Sequence, residues 1–183
     1  MSSLDDYAQS KLAAIDRGNR RRHLAPTSRA AGLWIERNGR RLLSVSCNDY
    51  LGLSHHPEVV AAAVEATQRY GAGAGASRYI TGNNPLYEQL ERAIAALKST
   101  EDALVFTTGH QANLGALGTI LGPQDTVIAD SGDHASILDG CLLSGAKMRP
   151  FRHNRLDLLE KRLKAAQADD SAALVVVDGV YSM

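Results

Sequence analysis

The sequence has 183 residues, of which 44% are apolar, with 20 basic and 20 acidic side chains. This length allows one sizeable core, and the balanced charge argues against nucleic acid or an anionic membrane surface as a partner. No apolar run approaches the roughly 18 residues of a membrane span, and the first residues lack the basic and apolar regions of a signal peptide, so the expected location is the cytoplasm.

The first predicted elements form a small N-terminal arm. Residues 4–17 are typical of a polar amphipathic helix, and the basic stretch 17–23 is interpreted as its solvated end. The apolar segments 33–35 and 42–45 flank Asn38-Gly39, a dipeptide that accepts the positive φ angles of a type I′ turn. This pattern predicts a β-hairpin ahead of the main domain.

Two helices are predicted next from their end signals. Pro57 suits the first position of a helix that ends at Gly71, and Asn84-Pro85 pairs an N-cap with a proline at the first helical position. The intervening run 71–76 alternates glycine and alanine and matches the letters of a dinucleotide fingerprint. It follows a helix rather than a strand, which disfavours a nucleotide-binding oxidoreductase. We expect either a loop that approaches a ligand or partner closely, or a plain surface loop.

From residue 103 onward, short apolar strands alternate with helices. The predicted order is strand 103–107, helix 110–121, strand 125–129, helix 134–143, strand 147–151, helix 155–167 and strand 173–178. This alternation predicts an α/β fold with right-handed crossovers and a mainly parallel sheet. The uninterrupted apolar run 173–177 is typical of a strand covered on both faces. Because the chain stops soon afterwards, at Met183, we expect it to be a fragment.

Ligands of parallel sheets bind outside the carboxyl ends of the strands, and four predicted strand ends carry polar groups. These are Gly109, then Asp130 with His134, then Arg152 with His153, and finally the segment from Asp178 to Ser182. The run 107–113 predicts an anion site, because free N–H groups at a helix start bind phosphate and Gly109 permits close approach. A simple tight turn is the alternative.

Other polar groups receive structural interpretations. Asp133 is expected to cap the helix that begins beside it. Cys47 and Cys141 are interpreted as ordinary thiols, and no metal site is predicted.

Five motifs occur in order along the chain and together resemble the α-oxoamine synthases. They are Ser46-Cys47-Asn48-Asp49-Tyr50-Leu51-Gly52-Leu53, residues 71–78 with Thr81-Gly82, Thr108-Gly109 with Ala112-Asn113, residues 134–140, and residues 178–183. The resemblance implies the type I pyridoxal-phosphate-dependent aminotransferase fold, pyridoxal 5'-phosphate as cofactor, and a homodimer. It also implies an N-terminal arm over residues 1–56, belonging to a small domain, and an incomplete cofactor-binding large domain over 57–183.

The resemblance assigns the cofactor contacts. Gly109 and His110 match residues whose backbone N–H groups hold the cofactor phosphate, in agreement with the anion site inferred above. His134 matches the histidine that stacks on the pyridine ring and contacts substrate, although a histidine near a helix start is otherwise typical of a cap or core residue. Ser182 matches a serine that hydrogen-bonds the cofactor near its phenolic oxygen.

Substrate contacts follow from the same resemblance. Asn48 matches an asparagine that contacts the amino-acid carboxylate, and Ser77 leaves room for the methyl group of L-alanine. Arg20 matches a substrate-binding arginine whose guanidinium suits the terminal carboxylate of a pimeloyl chain, with Arg21 and Arg22 as alternative registers. The implied reaction is a decarboxylative condensation of L-alanine with pimeloyl-CoA or a pimeloyl acyl carrier protein.

The Schiff-base lysine of the family has no match in this chain. In the family, that lysine and the aspartate that pairs with the pyridine nitrogen follow the segment matched by residues 178–183. We therefore expect the 183-residue chain by itself to be inactive. Two alternatives stay open: another family member such as glycine C-acetyltransferase, and a non-catalytic subunit or degenerate remnant.

Overall fold

The computed structural model describes residues 3–29 and 32–181, and the chain divides into two compact units between Ser77 and Arg78. The domain boundary predicted between residues 56 and 57 stays a prediction, because compact units need not coincide with the domains of a longer chain. No helix among the described residues combines the length and the apolar character required to cross a bilayer.

Helix α1 of the N-terminal unit spans Leu4–Arg17, as predicted. The Ser3 hydroxyl accepts the N–H of Asp6 at 3.1 Å, and the Asp6 carboxylate accepts the N–H of Ser3 at 3.0 Å. This capping box satisfies two backbone donors at the helix start and thereby fixes where α1 begins. Gly18 follows as the C-cap.

A three-stranded antiparallel sheet follows α1. Its strands are β1 (Thr27–Arg29), β2 (Trp34–Arg37) and β3 (Arg40–Leu43). Asn38 and Gly39 join β2 to β3 with φ angles of 53° and 70°, so the predicted hairpin is confirmed. The pairing of β1 with β2 was not predicted, because three residues with polar side chains give no alternating apolar pattern.

Helix α2 completes the regular structure of the N-terminal unit. It spans Pro57–Tyr70, with Pro57 at its first position and Gly71 at its end with a φ of 85°, which confirms both predicted ends. A 3₁₀ turn over Leu53–His55 precedes it. Residues 71–77 form an exposed loop without regular secondary structure.

The C-terminal unit begins with a π-helical turn, Arg78–Gly82, and helix α3, Pro85–Lys98. The Asn84 carboxamide oxygen accepts the N–H of Leu86 at 3.0 Å, so the predicted N-cap is confirmed.

The rest of the C-terminal unit alternates helices and parallel strands. The elements are α4 (Gly109–Ile120), β4 (Thr126–Ala129), α5 (Ala135–Leu143), β5 (Lys147–Met148), α6 (Leu156–Ala168) and β6 (Ala173–Val176). The strand order is β5-β4-β6, and both pairings are parallel. The predicted α/β fold is confirmed.

The core of this unit lies between the central strand β4 and helices α4 and α5. Every residue of β4 is buried. The buried apolar cluster around this strand consists of Leu117, Leu121, Val127, Ile137 and Cys141. Gly140 permits the close approach of α5 to α4, because a Cβ at this position would lie 2.9 Å from the Asn113 carbonyl oxygen. This contact lies in the second turn of each helix.

The predicted strand 103–107 is wrong. The backbone N–H of Val105 donates to the Glu91 carboxylate at 2.8 Å, and its carbonyl oxygen accepts from the Arg78 guanidinium at 3.0 Å. Because side chains bind these backbone groups, a neighbouring strand is not needed to satisfy them. The segment has no regular secondary structure and forms no strand ladder within the described chain.

The expected double-sided burial of the last strand is also wrong. Strand β6 lies at an edge of the three-stranded sheet, and Ala173 and Val175 are exposed whereas Leu174 and Val176 are half-buried. The alternation follows from the pleat, since successive side chains point to opposite faces and one face packs on the core. The strand covered on both faces is β4.

Candidate cofactor site

The carboxyl edge of the parallel sheet gathers polar side chains, as predicted. Asp130 follows β4 directly, and Asp178 follows β6. Phe151 forms an isolated parallel β-bridge with Asp130, which places the following residues, Arg152 and His153, at the same edge. Parallel strands end at the same edge, so residues far apart in sequence meet there.

The N-terminus of α4 has the donors that the predicted anion site requires. The Thr108 hydroxyl caps the helix by accepting the N–H of Gln111 at 3.1 Å. The N–H groups of Gly109 and His110 occupy the first two helical positions, where no intrahelical acceptor exists, and no acceptor for them is found among the described residues. A Cβ on Gly109 would meet no atom within 4 Å, so a bound group has open access to the backbone.

His134 is the N-cap of α5. Its backbone N–H donates to the Asp178 carboxylate at 2.8 Å, and its Nδ1 accepts the N–H of Ser136 at 3.2 Å. His134 is exposed as a residue, and no partner for its Nε2 is found among the described residues. The prediction that Asp133 caps this helix is therefore wrong, because the neighbouring histidine side chain takes that position.

Asp133 instead ties together the ends of two strands. Its buried carboxylate accepts the N–H of Asp130 at 3.0 Å and the N–H of Asp178 at 3.0 Å. Burial raises the pKa of Asp133 above its ordinary value, and the nearby carboxylates of Asp130 and Asp178 act in the same direction. The sequence analysis placed Asp130 and Asp178 at this edge but not Asp133, so it did not predict the contact between Asp133 and Asp178, which lie 45 positions apart.

Asp130 and His153 form a second contact across the edge. The Asp130 carboxylate is 4% exposed and lies 3.0 Å from Nδ1 of His153, and it also accepts the N–H of Gly132 at 2.8 Å. Burial works to raise the pKa of Asp130, but the Gly132 N–H and the His153 ring outweigh it, so the pKa lies below its ordinary value. The ring of Tyr181 packs edge-on against His153, with centroids 4.4 Å apart. Arg152, from the same predicted strand end, is exposed.

The predicted substrate residues lie in irregular, exposed parts of the N-terminal unit. Arg20 follows α1, Asn48 lies in the segment after β3, and Ser77 ends the glycine loop. Arg21 forms an ion pair with Asp16 at 2.7 Å, so Arg20 and Arg22 are the less constrained candidates in the basic stretch. Their roles stay predictions. Ser182 lies outside the described residues.

The residues present fit the phosphate of pyridoxal phosphate. Two backbone donors, an open glycine and the positive end of a helix dipole together suit a phosphate dianion. The described residues contain no group of three or more metal-ligand side chains. None of the lysines of the C-terminal unit lies at the carboxyl edge: Lys147 opens β5 at the opposite edge, Lys98 ends α3, and Lys161 and Lys164 lie on α6.

A parallel sheet with an open anion-binding helix start at its carboxyl edge defines an α/β protein built for a phosphorylated ligand. The family model for aminotransferase class I and II matches residues 40–183, and the chain belongs to this family. The predicted type I aminotransferase fold is thereby confirmed.

Two relatives indicate which branch of the family this chain resembles. A protein of Phenylobacterium zucineum (strain HLK1), provisionally named 8-amino-7-oxononanoate synthase, is 53% identical over 183 residues, which are 100% of this chain and 47% of the relative. The serine palmitoyltransferase of Sphingomonas wittichii superposes with a TM-score of 0.86 at 35% identity, and the match covers 100% of this chain and 47% of that chain. Both support the predicted resemblance to α-oxoamine synthases.

A further solved structure bears on the cofactor. A single-substitution variant of the serine palmitoyltransferase of S. paucimobilis, solved with a bound PLP–myriocin aldimine, has a TM-score of 0.86 and 32% identity, and the match covers 100% of this chain and 48% of that chain. Pyridoxal phosphate is thus confirmed as the cofactor of the family to which the chain belongs. The chain spans about half the length of the relatives it matches.

The sequence interpretation missed the functional meaning of two residues. Asn113 was noted only as part of a motif, yet its amide donates to the Ser136 hydroxyl at 2.8 Å. Ser136 was likewise noted without a role, although its hydroxyl lies 2.7 Å from Nδ1 of His134. The available signal was the position of a serine two residues after a helix-capping histidine.

Proposed function

We propose that this chain contributes the cofactor-binding turn and the ring-facing histidine of a pyridoxal-phosphate-dependent 8-amino-7-oxononanoate synthase. The observation that carries the proposal is that the N–H groups of Gly109 and His110 have no acceptor among the described residues, one turn ahead of the contact that links α4 to His134 through Ser136. The 53% identity to a relative of that name supports the choice of enzyme.

The N-terminal turn of α4 holds the cofactor phosphate in this proposal. Gly109 and His110 donate their backbone N–H groups, and the helix dipole favours the negative charge. Ser182 hydrogen-bonds the cofactor near its phenolic oxygen. When bound, pyridoxal phosphate supplies an electron sink for the pair left when a substrate Cα loses its proton.

His134 lies against the face of the cofactor ring in this proposal. The flat imidazole covers the cofactor ring and excludes water from it. Its Nε2, which is not the nitrogen that Ser136 binds, reaches a substrate oxygen. The Asp178 carboxylate holds the backbone N–H of His134 at 2.8 Å, and the Ser136 N–H holds Nδ1 of the ring at 3.2 Å, so that the two contacts together orient the imidazole.

Three residues make the substrate contacts in this proposal. Asn48 binds the amino-acid carboxylate, Ser77 leaves space for the methyl group of L-alanine, and Arg20 pairs with the terminal carboxylate of the pimeloyl chain. The new bond joins the alanine Cα to the carbonyl carbon of the pimeloyl thioester of CoA or acyl carrier protein. The carbon–sulfur bond of the thioester breaks and the thiol leaves, the alanine carboxylate departs as carbon dioxide, and the former Cα takes up a proton in its place.

Three further features belong to the proposal. The working protein is a homodimer in the cytoplasm, and the 183-residue chain alone is inactive because it supplies no Schiff-base lysine. Turnover by the purified chain would contradict this last point.

The test is an assay of the protein expressed from its complete reading frame, read from the coding DNA beyond the Met183 codon. Incubation with L-alanine and pimeloyl-CoA or pimeloyl carrier protein should give 8-amino-7-oxononanoate by mass spectrometry, with release of carbon dioxide. A clear preference for glycine with acetyl-CoA would instead indicate glycine C-acetyltransferase. A reading frame that ends at Met183, with no cofactor band removed by borohydride, would indicate a non-catalytic subunit or remnant.

A further inference from the structure

Two polar groups of one residue, the backbone N–H and the hydroxyl of Ser136, lie within hydrogen-bond distance of Nδ1 of His134. The backbone N–H of Ser136 lies 3.2 Å from this nitrogen, and the Ser136 hydroxyl oxygen lies 2.7 Å from it. A backbone N–H can only donate, so Nδ1 must present its lone pair to Ser136. The proton of the neutral imidazole is then carried by Nε2.

The direction of the next hydrogen bond agrees with this assignment. The Asn113 side-chain amide donates to the Ser136 hydroxyl oxygen at 2.8 Å. With that oxygen occupied as an acceptor, the single hydroxyl proton of Ser136 is free to point at Nδ1 of His134. The three side chains form a hydrogen-bond relay in which Asn113 donates to Ser136 and Ser136 donates to His134.

Burial strengthens the hydrogen bonds of this relay. Ser136 is 1% exposed and Asn113 is half-buried, so water competes poorly for their hydrogen bonds. An ordinary helix cap needs only the backbone N–H contact. The hydroxyl contact and the amide that reaches across from α4 go beyond capping and act on the imidazole itself.

We propose that Ser136 and Asn113 are positioning residues that hold His134 in the tautomer protonated at Nε2. His134 then presents an N–H donor, rather than a lone pair, to a carboxylate or carbonyl oxygen of the substrate. The identity of that oxygen rests on the proposed function, whereas the tautomer follows from the contacts in this chain alone.

The test is nitrogen-15 NMR of the imidazoles in the protein expressed from its complete reading frame and labelled at histidine. The signals of His134 are assigned by their loss in a His134→Gln variant. We expect Nε2 to show a directly bound proton and Nδ1 to show the shift of an unprotonated nitrogen. A directly bound proton on Nδ1 in the unsubstituted protein would overturn the proposal.

Variants distinguish the contribution of the Ser136 hydroxyl from that of the other donors in the relay. Ser136→Ala retains the backbone donor but removes the hydroxyl, and the ratio of the two tautomers should fall about fivefold, as expected for one lost hydrogen bond. Asn113→Ala should move the ratio in the same direction. An unchanged ratio in Ser136→Ala would overturn the proposal.

Ser144→Ala is the matched control. Ser144 follows α5 as its C-cap, is 8% exposed and uses its hydroxyl to donate to the Cys141 carbonyl oxygen at 2.6 Å, far along the helix from its first turn. This variant should leave the His134 signals unchanged, and a shift equal to that of Ser136→Ala would assign the effect to general loosening of α5. Should Ser136→Ala fail to fold, Asn113→Ala decides the outcome alone.

The readout is independent of catalysis. The expected tautomer without any condensation of alanine with a pimeloyl thioester would remove the proposed function and leave this inference standing. Condensation of alanine with a pimeloyl thioester, together with a proton on Nδ1, would support the proposed function and overturn this inference.

Discussion

The Cβ position of Gly140 lies 2.9 Å from the carbonyl oxygen of Asn113, closer than side-chain carbons approach backbone oxygens. Helix α5 therefore packs on α4 at a distance that only glycine permits. The same packing brings Asn113 within hydrogen-bond distance of Ser136.

Gly140→Ala should lower the free energy of unfolding by about 1–3 kcal/mol, the usual cost of overpacking a core. Gly118→Ala is the control, because a Cβ there would meet the Leu143 side chain at an ordinary 3.7 Å. That variant should be neutral or stabilising by up to about 1 kcal/mol, since alanine is the better helix former. Urea denaturation measures both, and equal effects would contradict the packing argument.

His153→Ala should destabilise the C-terminal unit by about 1–3 kcal/mol, because the buried carboxylate of Asp130 loses one partner. The neighbouring Arg152→Ala is the control. Its side chain is exposed, and the expected change is within about 0.5 kcal/mol. Thermal unfolding of both variants is the measurement, and a silent His153→Ala would show that the contact carries no stability.

Glu91 should make stability depend on acid pH. Hydrogen bonds from the Arg78 guanidinium, at 2.7 and 3.0 Å, and from the Val105 N–H hold the pKa of Glu91 below its ordinary value of 4.5. A carboxyl whose pKa is lowered by folding stabilises the folded state above the ordinary pKa, and this contribution is lost as the pH falls through the folded-state pKa.

The difference in melting temperature between the unsubstituted protein and Glu91→Gln should therefore be present near neutral pH and shrink well below pH 4.5. Glu88→Gln is the control on the same helix, because Glu88 is 60% exposed and lies 3.8 Å from Arg92. Exposed pairs of this kind contribute little, so its melting temperature should stay close to that of the unsubstituted protein at every pH. A difference for Glu91→Gln that grows on acidification would contradict the argument.

Local chemistry explains why so much of the helical structure is predictable from the sequence. Pro57, Gly71 and Asn84 each specify a helix end through their own backbone or side chain, and the structure has each end where it was predicted. The Asn38-Gly39 turn is similar, because its positive φ angles depend on two adjacent residues. The alternation of strands and helices then determines the parallel sheet.

The remaining features depend on contacts between distant residues. The backbone of Val105 is bound by side chains 14 and 27 positions away, and the segment predicted as a strand is irregular in the structure. Asp133 reaches Asp178 across 45 positions, so its role as a strand-end tie rather than a cap had no local signal. The hydrogen bond between Asn113 and Ser136 likewise requires two helices to pack closely.

The central claim is that the backbone at the start of α4 binds the phosphate of pyridoxal phosphate. Gly109→Ala tests it, because the added Cβ meets no atom of the chain within 4 Å and would obstruct only a ligand placed against the backbone. His110→Ala is the control, since a backbone N–H contact does not require the imidazole.

The first measurement is a titration of pyridoxal phosphate into the protein from the complete reading frame, followed by absorbance. Gly109→Ala should weaken binding at least about tenfold, or about 1.4 kcal/mol, with unchanged thermal stability of the free protein. His110→Ala should bind within about twofold of the unsubstituted protein. Normal affinity in Gly109→Ala, or equal losses in both variants, would contradict the claim that this turn holds the cofactor.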